Sequence, residues 1–592
     1  MNRAYLGIIM FSICLSTAST HGALRTFKEH EVRRTQPLTG LWSFETAQQG
    51  TDTDGLPEKY SRTLFVPFAW EQVPGFENYR GKAWLKTTVH AVEDKALRIV
   101  FGGVSHTGTV YVDRVKYGSH YDAFTPWDVV VPGLESGAHE LVVEVDNSFG
   151  ENSALHFDND YYSYGGITRP VELQLIPPLY IDRLFAKPVR KGDRWELEYR
   201  VRLKNWSGNE EAGDLALCIN ETRLCHEELR VKARGNEEIS GSFAVPGVLP
   251  WSAENPVLYE IKVSLSRGGR EVDDLVDRVG FREVKVEGAD ILLNGRPIRL
   301  RGVNRHEDHP LFGNAIPLEA MIKDLEIIRD LGCNFIRCSH YPNDMRFLDL
   351  CDEMGLYVWE ESHARAVPFD QPKFLEQITS STSEMVDWHF NRPSVIIWGC
   401  LNECASETPE GKEVYKHVIG LIRSLDSSRP VTFASNRLKR DICLDLVDIV
   451  SWNIYTGWYG SDLSSIESVL GGVLDWQHSD GCPGRGKPVI ISEFGGGAIY
   501  GYRSPTHAKW TEEYQAELHD ESLRIYLNHP KISGALIWQF SDIRVSPGFW
   551  YGRPRTANNK GIVDEYRRPK LSYDIVKKRM SDARKKWDEW CK

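Results

Sequence analysis

The sequence has no excess of positive charge and no apolar run of membrane-spanning length. Lys and Arg number 71 against 83 Asp and Glu, a net charge of −12 at pH 7, which argues against a nucleic-acid partner. A shorter apolar run, Leu6 to Leu15, follows Arg3 and precedes a stretch of small residues. This pattern predicts a signal peptide over residues 1–22, and hence a secreted, periplasmic or lysosome-like protein without an integral membrane segment.

The eleven cysteines show no metal-binding arrangement. They are scattered, without a repeated Cys-x-x-Cys spacing, so we do not expect a zinc site. His306 and His309 flank Glu and Asp in the run HEDH, but neighbouring residues at one strand end cannot all converge on a single ion. We therefore predict neither a metal nor another cofactor. A disulfide between Cys218 and Cys225, on neighbouring strands of a secreted protein, stays open.

The 592 residues exceed what one core organises, which predicts roughly two to four domains. Residues 23–178 contain short segments such as TLFVPFAW, ALRIVFGGV and HELVVEVDN. Their period-2 alternation predicts a jelly-roll-like antiparallel β-sandwich. A second set over residues 179–283, including WELEYRVRL and LYEIKVSLS, predicts a smaller immunoglobulin-like β-sandwich.

The pattern changes in residues 284–592, where short apolar runs alternate with helical stretches. In one stretch Met321, Leu325, Ile328 and Leu331 share a face at helical spacing, as expected for packing against a sheet. Repeated βα units across this length predict a C-terminal (β/α)8 TIM barrel with strands buried on both faces. The eight predicted strands are IRLRGVN, CNFIRCSH, LYVWEES, VIIWGCLNE, PVTFASN, DIVSWNIY, PVIISEFG and GALIWQFSD.

Polar residues gather where these apolar runs end. Active sites of such barrels lie at the carboxyl ends of the strands, so we expect one site there. Glu403 ends the fourth run and Glu493 ends the seventh, 90 residues later; these strands lie across the barrel mouth from each other. Two carboxylates that face one sugar are the machinery of glycoside hydrolysis, in which one protonates the leaving oxygen and the other attacks or activates water.

Four blocks at the predicted strand ends carry a family resemblance. The chain is similar to glycoside hydrolase family 2 in GVNRHEDHP, IRCSHYP, WGCLNE and ISEFGG, in that order. The resemblance covers nearly the whole chain after the leader and implies the order sandwich, sandwich, barrel, with a sugar-binding-like first sandwich.

The same resemblance assigns roles to residues at the barrel mouth. It implies a retaining mechanism with Glu403 as general acid/base and Glu493 as nucleophile. Asn402 would then hydrogen-bond the 2-hydroxyl of the sugar. We expect His306 and Asp308 to contact sugar hydroxyls or to position a carboxylate.

The last part of the barrel indicates an anionic sugar. In RPRTANNKG, Asn558 and Lys560 stand two apart beside a glycine. Either Arg553 or Arg555 could be the arginine that precedes this pair in the cationic cluster. A lysine charge and amide donors can hold a carboxylate. β-Glucuronidases of the family carry an Asn-x-Lys-Gly motif that binds the uronate carboxylate, and residues 558–561 match this motif.

Three further residues are implied by the resemblance alone. The stretch NDYYSYGGITRPV resembles the first-sandwich loop whose aspartate reaches into the glucuronidase site, here Asp160. DIVSWNIYTGWY resembles the stretch that supplies a site tyrosine, here Tyr455. Trp538 in LIWQFSD would form a wall under the sugar ring.

The residue patterns and the family resemblance together imply a retaining, exo-acting β-glycoside hydrolase that releases glucuronic acid from small-molecule or oligosaccharide β-glucuronides. A β-galacturonidase or β-galactosidase on the same scaffold remains an alternative, and a non-catalytic carbohydrate-binding protein is a third. The sequence leaves open which aglycone is bound and whether the chain forms a homo-oligomer.

Overall fold

The computed structural model describes residues 22–47, 55–220 and 222–590. All but the last residue of the predicted signal peptide lies outside these ranges. No helix within them is both long enough and apolar enough to cross a membrane.

A β-sandwich forms the first part of the described chain, as predicted. Its strands are β1 (Arg34–Pro37), β2 (Gly40–Thr46), β3 (Arg62–Val66), β4 (Lys82–Ala91), β5 (Ala96–Phe101), β6 (Val104–Ser105), β7 (Thr107–Val112), β8 (Val115–Tyr121), β9 (Trp127–Val131), β10 (Gly137–Asp146), β11 (Gly166–Ile167) and β12 (Val171–Ile176). Antiparallel pairing orders them β1-β12-β5-β9 in one sheet and β3-β2-β4-β10-β7-β8 in the other. Phe44, Ile99 and Val143 belong to the buried core of this sandwich, because alternate residues of a strand face inward.

A second, smaller sandwich follows. Its strands are β13 (Leu179–Lys191), β14 (Arg194–Asn205), β15 (Glu211–Ile219), β16 (Thr222–Val231), β17 (Asn236–Ala244), β18 (Tyr259–Arg267) and β19 (Arg270–Val279). They form the sheets β13-β14-β17 and β16-β15-β18-β19. Cys218 and Cys225 lie on the adjacent strands β15 and β16, but a register shift sets Cys218 opposite Arg223 and Cys225 opposite Leu217. Both thiols are free, so the disulfide left open by the sequence does not form.

The third part is the predicted barrel, entered through a small sheet of β20 (Val284–Glu287), β21 (Asp290–Leu293) and β22 (Arg296–Pro297). The barrel strands are β23 (Leu300–Arg305), β24 (Phe335–Cys338), β25 (Tyr357–Glu361), β26 (Val395–Gly399), β27 (Val431–Thr432), β28 (Ala434–Ser435), β29 (Val450–Asn453), β30 (Val489–Phe494) and β31 (Gly534–Ile537). Parallel pairing runs β27-β26-β25-β24-β23-β31-β30-β29-β28. The fifth predicted strand forms two short strands, β27 and β28, instead of one. The other seven predicted strands are confirmed.

Helices alternate with these strands and surround them. They are α1 (Leu318–Asp330), α2 (Met345–Met354), α3 (Phe374–His389), α4 (Pro409–Leu425), α5 (Ile466–Gln477), α6 (Glu512–Tyr526) and α7 (Ser572–Trp590), and a short pair, β32 (Ile543–Arg544) with β33 (Ala557–Asn558), lies after the last barrel strand. The predicted inner face of α1 is confirmed, because Met321, Leu325 and Ile328 are buried. Asp344 caps α2 by accepting the Arg346 N–H, which satisfies a donor that the first helical turn leaves unpaired.

Candidate active site

The carboxyl ends of the barrel strands bring the predicted carboxylates to one place. Glu493 lies within β30, and Glu403 lies four residues after β26. The backbone of Glu403 has φ +52°, a left-handed conformation that non-glycine residues rarely adopt and that is often found at functional sites. Its N–H donates to the Ala434 carbonyl at 2.9 Å, which fixes the chain direction at this point.

Glu493 is buried and held through both of its carboxyl oxygens. Arg337 donates to Oε1 at 2.7 Å, and the Tyr455 hydroxyl donates to Oε2 at 2.7 Å. Burial raises the pKa of Glu493 to about 7; the Glu403 charge adds to this rise, whereas Arg337 and the Tyr455 hydrogen bond oppose it. The carboxyl group is therefore oriented by two donors while its protonation changes near neutral pH.

Glu403 has a different set of neighbours. The Asn453 amide donates to its Oε1 at 2.9 Å, and one Arg365 guanidinium nitrogen lies 3.9 Å from its Oε2. Both carboxylates thus have a cation within reach, Arg337 for Glu493 and Arg365 for Glu403. Each carboxylate is oriented by its own donors, which suits two groups that act at different points of one reaction.

Arg337, at the end of β24, connects the residues around Glu493. Its guanidinium also donates to both oxygens of the buried Glu361, at 2.9 Å each, and to Asn402 Oδ1 at 2.8 Å. The bond from Arg337 uses the side-chain oxygen Oδ1 of Asn402, while the buried Nδ2 of the same amide has no protein partner among the described residues. An amide held in this way has a free donor to offer, as the predicted contact with a sugar hydroxyl requires.

Aromatic rings lie beside the carboxylates. Trp538, one residue after β31, stacks on His340 with ring centroids 4.9 Å apart and contacts the edge of His306 at 5.3 Å. His306 receives a contact at Nδ1 from the Tyr341 hydroxyl, 3.2 Å away, while its Nε2 is buried without a partner in the described chain. Burial lowers the pKa of His306 well below its usual range, so this ring is a neutral hydrogen-bonding group.

The cationic cluster predicted near the end of the barrel gathers around Asp160. Arg553 Nε donates to Asp160 Oδ1 at 2.7 Å, and the Asn558 amide donates to Oδ2 at 3.1 Å. Arg555 instead pairs with Glu565 on the surface. Arg553 is therefore the arginine of this cluster, and the competition left open by the sequence is resolved.

Lys560 is a buried cation that has no carboxylate partner among the described residues. Only 2% of the residue is exposed, and its ammonium group donates to the Tyr459 hydroxyl at 2.8 Å. The same nitrogen lies 5.8 Å from the ring centroid of Tyr455, the tyrosine that bonds Glu493. Within the described chain no salt bridge joins Lys560 to Asp or Glu. Burial lowers the pKa of Lys560, so an incoming anion would be favoured here.

Sequence reasoning missed Arg365 and Tyr459 as members of this site. Arg365 donates to Asn159 Oδ1 at 2.8 Å and so links the first sandwich to Glu403. The position of Arg365 just after β25 was the available signal, since other site residues also follow strand ends. The side chains of the run HEDH have different partners and do not converge on one point: Glu307 pairs with Arg169, and Asp308 accepts a hydrogen bond from the Tyr164 hydroxyl.

Comparisons with known proteins agree with this architecture. Two family models match: "Glycosyl hydrolases family 2" over residues 179–282 and "Glycosyl hydrolases family 2, TIM barrel domain" over residues 284–584. A β-glucuronidase of Streptococcus agalactiae is 27% identical over 607 residues, covering 93% of this chain and 96% of that protein.

Solved structures give the same result. A family 2 β-galacturonidase from Eisenbergiella tayi bound to galacturonate is 44% identical, with a TM-score of 0.90 over 94% of this chain and 99% of that one. A β-glucuronidase from Ruminococcus gnavus in complex with D-glucuronic acid is 25% identical, with a TM-score of 0.83 over 93% of this chain and 98% of that one.

Proposed function

This chain belongs to glycosyl hydrolase family 2, and from that premise we propose that it is a retaining, exo-acting β-glucuronidase. It would release glucuronic acid from the non-reducing end of β-glucuronides by double displacement. The fold, the two carboxylates at strand ends and the similarity to glucuronidases support this proposal.

The buried, unpaired ammonium of Lys560 carries the choice of an acidic sugar. Among the described residues, a neutral sugar would leave this cation with the Tyr459 hydroxyl as its hydrogen-bond acceptor and with aromatic rings around it, but with no salt-bridge partner. A uronate carboxylate would supply the missing negative charge, and Asn558 lies in the same motif, two residues before Lys560. Because a buried charge without a counterion is costly, the site favours an anion over a hydroxymethyl group.

In the first step of the proposed mechanism, Glu493 attacks the anomeric carbon. The bond from that carbon to the leaving oxygen breaks, a bond to Glu493 forms, and Glu403 gives its proton to the leaving oxygen. Arg337 and Tyr455 hold the attacking carboxylate in place through the hydrogen bonds described above. The free Nδ2 of Asn402 would bind the 2-hydroxyl.

In the second step, Glu403 removes a proton from water as the water attacks the anomeric carbon. The bond to Glu493 breaks, and its carboxylate is regenerated with glucuronic acid as the product. Glycosylation of Glu493 removes its negative charge, so Glu403 can change from acid to base between the two steps.

A panel of nitrophenyl β-glycosides tests the proposed function. We expect a higher kcat/KM on the glucuronide than on the galactoside and glucoside. Faster turnover of the galactoside than of either uronide would overturn the acidic-sugar proposal. Absence of hydrolysis of any member by an otherwise folded protein would favour a non-catalytic carbohydrate-binding protein.

A galacturonide is the second candidate substrate, and a specific observation favours it: the E. tayi β-galacturonidase structure is 44% identical to this chain. Glucuronide and galacturonide differ only in the configuration at C4, so the same carboxylate pocket would serve both. The ratio of kcat/KM for the two nitrophenyl uronides decides between them, and a ratio in favour of the galacturonide would replace glucuronic acid by galacturonic acid as the product.

We further propose that the chain is secreted with cleavage of residues 1–22, on the sequence pattern of its N-terminus. Mass spectrometry of the protein exported by an expressing cell would give an N-terminus at or near Ala23. A mature protein that retains Met1 would contradict the proposal. We also propose a homo-oligomer, and light scattering would then return a multiple of the mature chain's mass, which is below the 67.5 kDa of the full 592-residue chain.

A further inference from the structure

A second group of buried polar side chains lies where the first sandwich meets the barrel. Asp122 follows β8, His156 lies in the loop after β10, and His363 lies two residues after β25. One ligand atom of each residue lies within 4.8 Å of the others. All three residues are buried, and none belongs to the active site described above.

Each imidazole uses one ring nitrogen in a hydrogen bond and turns the other ring nitrogen towards Asp122. His156 Nδ1 lies 2.9 Å from the Tyr121 hydroxyl, and His363 Nε2 lies 3.1 Å from the Tyr161 hydroxyl. The remaining nitrogens, His156 Nε2 and His363 Nδ1, have no hydrogen-bond partner within the described chain. Metal-bound histidines typically show this arrangement, in which a second hydrogen bond fixes the ring and its tautomer.

The distances from Asp122 to the two imidazole nitrogens fit ligands of one ion better than they fit hydrogen bonds. Asp122 Oδ1 lies 3.4 Å from His363 Nδ1 and 3.8 Å from His156 Nε2, longer than ordinary N–H···O bonds. Donors of a tetrahedral site with bonds near 2.0–2.1 Å stand about 3.4 Å apart. Asp122 Oδ2 accepts the Ser381 hydroxyl and Oδ1 accepts the Phe124 N–H at 3.2 Å, but within the described chain no Lys or Arg salt bridge neutralises this buried carboxylate, whose charge is costly to bury.

We propose that Asp122, His156 and His363 form a structural site for a divalent transition metal, Zn²⁺ by the chemistry of two imidazoles and one carboxylate. The ion joins the first sandwich to the barrel. Through His363 it also fixes Tyr161, the neighbour of Asp160 in the active site.

A second cluster of similar composition provides the matched control. Glu29, His30 and Glu172 also bring three potential ligand atoms together. Both His30 nitrogens have partners, however: Nδ1 contacts the Asp274 carbonyl at 2.6 Å and Nε2 lies 3.4 Å from the Gln174 amide nitrogen, and Glu29 accepts from Arg25 at 3.0 Å. We therefore expect no metal there.

Metal content of the purified chain tests the proposal without any substrate, so its result is independent of the function proposed above. The protein is expressed in zinc-supplemented medium, washed with a chelator to remove surface ions and analysed by plasma mass spectrometry. We expect about one zinc ion per wild-type chain, loss of this ion in His156→Gln and Asp122→Asn, and its retention in His30→Gln. Wild type without bound metal, or equal zinc content in all variants, would overturn the site.

Wild-type protein also provides a test that does not depend on the variants folding. Cobalt replaces zinc during expression, and the visible spectrum of the chelator-washed protein is recorded. Absorption bands of tetrahedral Co²⁺ with nitrogen and oxygen ligands are expected, together with a thermal midpoint higher by roughly 2 °C or more than that of metal-free protein. A colourless protein with an unchanged midpoint would refute the proposal.

Discussion

Replacement of Lys560 by methionine should separate binding of the acidic group from the rest of catalysis. Methionine keeps the length of the side chain and removes its charge. Only 2% of the Lys560 residue is exposed, and its ammonium donates to Tyr459 rather than to a carboxylate. A bound uronate would therefore lose its main protein cation, while the protein would lose no internal ion pair.

The size of the effect follows from the environment of the lysine. Hydrogen bonds to charged groups contribute about 1.5–3 kcal/mol, and removing one partner of a buried ion pair costs about 3–5 kcal/mol. A loss of about 3 kcal/mol corresponds to a fall in kcat/KM of roughly 150-fold. Because burial already disfavours the charged lysine and lowers its pKa, the thermal midpoint at neutral pH should be unchanged or higher.

The assay compares nitrophenyl glucuronide with its uncharged glucuronamide. Wild type should prefer the acid, and Lys560→Met should lose most of this preference while turning over the amide at a similar rate. Lys487→Met is the matched control: like Lys560, Lys487 donates to neutral acceptors, here backbone carbonyls including that of Leu444 at 2.8 Å, but it precedes β30 at the opposite end of the barrel. An equal loss on both substrates, or an unchanged preference, would refute the role given to Lys560.

Three further predictions concern the carboxylates. Since the pKa of Glu493 is raised to about 7, its nucleophilic form is lost as pH falls, so kcat/KM should decrease below pH 7. Tyr455→Phe removes a hydrogen bond to the ionised carboxylate and should move the acidic limb of the pH profile to higher pH. An acidic limb that does not move would contradict the assignment. The raised pKa also makes the folded protein bind more protons than the unfolded one between about pH 4.5 and 7, so the wild type loses stability as pH rises through this range. Glu493→Gln lacks this group and should therefore gain stability relative to wild type over the same range. Chemical denaturation at pH 5 and 7.5 measures the difference in the free energy of unfolding. Glu403→Gln should slow substrates with poor leaving groups, such as alkyl glucuronides, much more than dinitrophenyl glucuronide, whereas Glu493→Gln should slow both alike; the opposite pattern in kcat/KM would exchange the two roles.

The fold could be predicted from the sequence because its signals are local. Alternating segments marked the two sandwiches, and apolar runs such as VIIWG and PVIIS marked barrel strands that are buried on both faces. The split between β27 and β28 was not visible, since a run such as PVTFASN has the same composition whether its pairing is continuous or not. The register shift that separates Cys218 from Cys225 depends likewise on the strand pairing.

The site was predictable in part. Glu403 and Glu493 could be found because each follows a recognisable strand. The choice of Arg553 over Arg555 could not, since it depends on a turn in which Arg555 takes φ +61° and neighbouring side chains diverge. The pKa of Glu493 depends on burial and on Arg337, 156 residues away, and Arg365 resembles any charged residue after a strand. Contacts between domains, such as Asp122 with His363, have no local pattern.

Trapping the covalent intermediate tests the central claim most directly, because it depends at once on the retaining mechanism, on the nucleophile and on the acidic sugar. The protein would be treated with 2-deoxy-2-fluoro-β-glucuronosyl fluoride, whose glycosyl-enzyme intermediate is hydrolysed slowly. We predict an increase in intact mass by one fluoroglucuronosyl group, mapped by peptide mass spectrometry to Glu493 and absent from Glu493→Gln. An adduct on another residue, or turnover of glucuronides without any adduct, would contradict the mechanism.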